Sequence, residues 1–169
     1  VLGQARTQTD KLFASCGNVV KGVNKKGKEF FKFTTNLTEP IAKLHVDNVT
    51  IWAAGEYVTN QYVNCEDAHY YAADDKVNDM AVAPVIIPDE KNPILACADR
   101  FIRVLQGGEL FYEVATPGAC TVVEHCAAND ANRAKEAEAN PGMKMDKRAK
   151  AREVLYGTEQ GVVGQLSHA

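Results

Sequence analysis

The chain is read as all-β from three observations: apolar runs of strand length, turn residues between them, and recurrence of the whole unit. The clearest unit is 93–118, PILACADRFIRVLQGGELFYEVATPG, where ILAC, FIRVL and LFYEV are each too short for an ordinary helix. Asp99-Arg100 separates the first two runs. Gly107-Gly108 follows the second and supplies the positive φ of a tight hairpin. Three such strands make a small sheet that needs company to be stable.

The unit recurs. Upstream, 11–33 (KLFASCGNVVKGVNKKGKEFFKF) has the same order of strand, polar turn, strand, Gly turn and aromatic strand. TIWAAGEYVTNQYV (50–63) and AHYYAADD (68–75) fit with a looser middle, and EVLYGTEQGVVGQL (153–166) starts the pattern again. With Leu12, Ile51 and Leu95 equivalent, the step is about 40 to 45 residues, the length of a four-stranded propeller blade. The expectation is therefore a partial β-propeller of about three to four four-stranded antiparallel blades with a charged insertion loop. Residues 1–169 are expected to be a fragment of one such domain. A partial blade falls at 11–33, full blades at 41–75 and 77–117, and a partial blade at 119–166 with the insertion at 127–152. The inner strand of the third blade is placed at 81–87, interrupted by Pro84. A start at Val1 and an end in mid-pattern at Ala169 point to a fragment.

Composition fits a soluble globular protein, with 46% hydrophobic and 24% charged residues. A net charge of −3 gives no sign of global nucleic-acid affinity. No apolar stretch approaches a membrane span, and no secretory signal is present. Five cysteines without CxxC spacing (Cys16, Cys65, Cys97, Cys120, Cys126) argue for free thiols in a reducing compartment. Cys16, Cys97 and Cys120 lie in apolar strand patterns, where a thiol behaves as a small hydrophobe. The sequons at Asn36 and Asn48 matter only in a secreted protein.

Each candidate site has a plain structural alternative. The tip Lys25-Lys26-Gly27-Lys28 fits a phosphate or acidic partner, or a solvated turn. Trp52, Tyr57 and Tyr62, with Tyr70 and Tyr71, fit a peptide-binding surface or packing between sheets. Segment 74–83 (DDKVNDMAVA) offers Asp74, Asp75 and Asp79 with Asn78 as weak calcium ligands, but Lys76 intrudes and no glycine turns the loop. The alternative is a turn fixed by Asp and Asn side chains. Cys120, His125 and Cys126 invite zinc, yet adjacent strand residues face opposite ways. His45 has no second ligand at metal spacing. The insertion lacks an apolar face. Its Lys144, Lys147, Arg148, Lys150 and Arg152 fit an acidic subunit or anionic lipid. No nucleophile, metal or nucleotide motif is present, so no catalytic or cofactor-binding residue is assigned.

The segments KKGKEFFKFTTNLTE, DDKVNDM, PILACADRFIRVLQGGELFYEVATPG and VLYGTEQGVVGQL carry a resemblance. Within them the run Leu95-Ala96-Cys97, Asp99-Arg100 and Arg103-Val104-Leu105-Gln106-Gly107 is long and specific. Together they resemble the amino-terminal β-propeller of the Bardet–Biedl syndrome 7 family of BBSome subunits, with a longer insertion here than in the vertebrate members. The resemblance implies a non-enzymatic adaptor without cofactors, acting in ciliary membrane-protein trafficking and cilium biogenesis. It implies contacts with other BBSome subunits (the Bardet–Biedl syndrome 2 and 9 proteins) and with ciliary membrane-protein cargo. Its places would be the cytoplasm, cilium, basal body and, through the complex, the ciliary membrane. It transfers no functional residue. The alternatives are a calcium-dependent or lipid-binding propeller module, or an enzyme whose site lies in other blades. Apolar blade faces left open also predict self-association of an isolated fragment.

Overall fold

The computed structural model describes residues 2–3, 11–87, 90–125 and 154–166, and every regular element among them is a β-strand. The first sheet holds β1 (Leu2–Gly3), β2 (Lys11–Cys16), β3 (Val19–Asn24) and β4 (Glu29–Thr34). The second holds β5 (Lys43–Asp47), β6 (Thr50–Ala54), β7 (Val58–Val63) and β8 (Glu66–Ala72). The third holds β9 (Val77–Ala83), β10 (Asn92–Cys97), β11 (Phe101–Gln106) and β12 (Glu109–Ala115). A fourth, of three strands, holds β13 (Cys120–His125), β14 (Val154–Thr158) and β15 (Val163–Leu166). Within each sheet the strands pair antiparallel in chain order. Successive first strands β1, β5, β9 and β13 lie against one another, so the sheets stack side by side.

Stacking explains the sequence pattern. Middle strands are covered on both faces and read as continuous apolar runs, as in β10 and β11. Outer strands β4, β8 and β12 are largely exposed, with half-buried residues at intervals. One apolar layer joins Phe13 and Val20 of the first sheet to Val46, Ile51 and Tyr62 of the second. Leu95, Cys97 and Leu105 of the third sheet pack with Tyr71 of the second. Ile94, Ile102 and Val104 turn the other way, onto Val123 and Val154 of the fourth.

Turn chemistry matches the expected hairpin. Gly107 and Gly108 have φ of 57° and 81°. A Cβ on Gly108 would lie 3.1 Å from His69 Cβ, so this turn is also pressed onto β8. Asn64 and Cys65 make a second left-handed pair, at φ of 52° and 64°.

Two expectations need correction. The inner strand placed at 81–87 is β9, Val77–Ala83, and ends before Pro84. Proline has no N–H for the ladder, so the strand gains its length on the amino-terminal side. Cys16 is exposed at the end of β2, whereas Cys97 and Cys120 are buried. The insertion at 127–152 and Cys126 lie outside the described residues.

The layering predicts different costs for two leucines. Leu95→Ala, in a fully buried position, is expected to cost about 2–5 kcal/mol. Leu110→Ala, exposed on β12, is expected to change stability by under about 0.5 kcal/mol. Denaturant midpoints of the two variants measure the difference.

Candidate interaction surfaces

The acidic segment 74–83 is divided between a turn and a strand. Asp75 Oδ1 accepts the N–H of Lys76 at 2.7 Å, the self-capping expected of a turn. Asn78 and Asp79 stand on β9 and reach the neighbouring sheet. Asn78 Nδ2 donates to the Cys120 carbonyl at 2.7 Å, and Asp79 Oδ2 accepts the Val123 N–H at 3.0 Å. These side chains satisfy backbone groups of β13 that its own sheet leaves open. Asp79 is therefore committed to an inter-sheet bond, and no group of three or more His, Cys, Asp or Glu is gathered for a metal among the described residues.

A second polar cluster lies within the third sheet, on the face turned toward Tyr71 of the second. Arg103 sits in the apolar run FIRVL, 3% exposed. Its guanidinium forks onto Asp99, at 2.9 and 2.5 Å, and its Nε lies 3.2 Å from Glu113 Oε2. The Asp99 carboxylate, aided by the Cys97 thiol, holds Arg103 above its already high proton affinity. Tyr71 of β8 lies within the field of this cluster, and burial pushes its hydroxyl above the ordinary tyrosine range. A buried arginine inside an apolar strand needs a carboxylate, and Asp99, four residues upstream, is the signal by which sequence inspection finds this pair.

The aromatic candidates separate by burial. Trp52 is 5% and Tyr62 1% exposed, so both are core residues and not surface anchors. Trp52 meets His45 edge-on at 5.6 Å, and Tyr62 meets Phe33 at 5.1 Å. The Tyr62 hydroxyl donates to Asn36 Oδ1 at 2.8 Å, and burial pushes it up. Tyr57, 44% exposed, offers its ring to solvent beside Lys76 and Glu56, an ion pair of 2.7 Å. Lys144, Lys147 and Arg148 lie outside the described residues.

Of two further features, only the cleft escaped the sequence. The lysine tip is an ordered turn: Asn24 Oδ1 accepts the N–H of Lys26 at 3.0 Å and of Lys28 at 3.1 Å. A cleft of about 300 Å3 opens between the first and second sheets, lined by Phe13, Phe31, Val46 and Ile51 together with Lys11 and Cys65.

Sheets of this kind, stacked through their first strands, define the β-propeller class. The WD40 propeller of Doa1 superposes with a TM-score of 0.70 at 11% identity, covering all of this chain and 50% of that one. BBS1N, solved in complex with ARL6DN, superposes at 0.67 with 10% identity, covering 98% of this chain and 49% of that one. Within the class, the BBS7 beta-propeller model matches residues 1–169, and the chain belongs to that family. A mouse relative, BBSome complex member BBS7, is 39% identical over 121 residues; the match takes in 72% of this chain and 17% of that protein.

Arg103→Leu is expected to leave the part-exposed Asp99 without its partner and to cost about 1–3 kcal/mol. Arg103→Lys recovers only part, because one ammonium cannot fork onto Asp99 while also reaching Glu113. Thermal melting of both variants checks this. Burial raises the Cys97 and Cys120 thiols above their unfolded values. Their stability contribution is whole below about pH 8.5 and is lost as pH rises through the folded values. Unfolding free energy should therefore fall on the alkaline side. Alkylation in the native state should label Cys16 and Cys65, and reach Cys97 and Cys120 only in denaturant.

Proposed function

We propose that this chain is propeller framework in a BBSome subunit, serving a non-enzymatic role in moving membrane proteins to and from cilia. The single observation that carries the reading is the family match along the whole chain. The stacked sheets suit it physically. Rigid layers with satisfied inter-sheet polar bonds hold exposed outer strands and turns in fixed positions, as a docking platform requires. The partners proposed are other BBSome subunits, the Bardet–Biedl syndrome 2 and 9 proteins among them, and the cytoplasmic tails of ciliary membrane proteins. Its place is then the cytoplasm, basal body and cilium, with membrane contact made through the complex. Separated from neighbouring blades, the chain is proposed to self-associate through uncovered sheet faces. Val163, 77% exposed on β15, is one apolar residue such contact would cover.

Crosslinking of the intact assembly tests the reading. Lysine-directed reagents are expected to join lysines of the outer strands and turns, such as Lys32 on β4, to other subunits. A full-length protein that co-purifies with none of them would overturn it.

A further inference from the structure

We infer that the cleft between the first two sheets is a docking groove for an acidic peptide segment of a protein partner, which inserts one large apolar side chain. Both walls of this cleft belong to described sheets. Phe13 and Phe31 come from the first, Val46 and Ile51 from the second. The volume, about 300 Å3, lies at the lower end of ligand pockets, so it takes a side chain and not a whole helix. Its rim is unusually apolar for a surface. Phe30 on one lip and Val49 on the other are 44% and 55% exposed.

Charge decides the occupant. Residues 11–34 carry six lysines and one glutamate, in a chain whose net charge is −3. That glutamate, Glu29, already pairs with Lys21 at 3.0 Å. Lys11 stands on the groove itself, its ammonium 4.9 Å from the centroid of the Phe30 ring. The Lys26 and Lys28 backbone is held by Asn24, in the turn that leads into β4 with Phe30 and Phe31 of the groove. On the second-sheet side Glu66 follows Cys65 in sequence, so the cationic side of the groove is the first sheet. An apolar floor under a cationic lip selects a hydrophobic residue flanked by carboxylates. A lipid surface would meet the lysines without using the cleft, and so fits the geometry less well.

The test uses the full-length protein in its assembly and a fluorescent peptide, Glu-Asp-Glu-Phe-Asp-Glu-Asp, with an Ala-for-Phe control. The Phe peptide is expected to bind, with affinity falling as salt rises. Replacing Phe by Ala in the peptide, and Lys11→Glu or Val49→Asp in the protein, should each weaken binding by about 10-fold or more. Both protein positions are exposed, and unchanged melting confirms that the fold survives. Bound peptide should also slow alkylation of Cys65, on the rim, and leave Cys16, at the far end of β2, unaffected. Equal binding of the two peptides, or binding that neither variant alters, overturns the proposal. So does binding to phosphatidylserine-containing vesicles with none to the peptide, which assigns the lysines to a membrane.

Discussion

Everything in this molecule follows from the fact that a small antiparallel sheet with two apolar faces cannot stand alone. Its middle strands offer Ile94, Ala96, Ile102 and Val104 on one side and Leu95, Cys97 and Leu105 on the other. Burying one face leaves the other in water, so each sheet needs a neighbour on both sides. Lateral stacking is the arrangement that meets this demand, and it aligns the first strands along one line. The fold is thus a consequence of double-sided apolar strands more than of any single contact.

Apolar layers slide easily, and polar joints fix their register. Asn78 and Asp79 bond the backbone of β13 across two sheets, while Arg103 binds Asp99 and Glu113 within the third sheet. The bonds to β13 satisfy backbone groups that would otherwise be buried without partners, a cost that penalises any other alignment. The run Leu95 to Gly107 supplies both Asp99 and Arg103 of the arginine cluster.

The same geometry shapes the surface. Outer strands and turns carry the side chains that layering does not require, and so they are free to bind. The lysine-rich first sheet faces the second across a cleft that Asn48 and Asn64 help to line. Both asparagines have left-handed backbone, at φ of 51° and 52°. Asn tolerates that conformation better than most residues, which lets the turns stay short at the rim.

The all-β class was legible because strand-length apolar runs and turn dipeptides are local signals. So were the hairpin at Gly107-Gly108 and the recurrence of the unit. The Arg103–Asp99 pair was half legible, as a charge inside an apolar run. Asp79 was misleading: its neighbours Asp74 and Asp75 suggested a loop, while pairing with β10 placed it on a strand. Trp52 and Tyr62 read as packing or as surface, with packing the favoured side, since an aromatic residue carries no mark of which face its strand will bury. The sequence by itself determined the strands, their turns and the sheet-by-sheet repeat, all governed by neighbours within a few residues. Only the tertiary structure decided which aromatics are covered, where the cleft opens, and which carboxylates bridge sheets, because those depend on contacts between segments tens of residues apart.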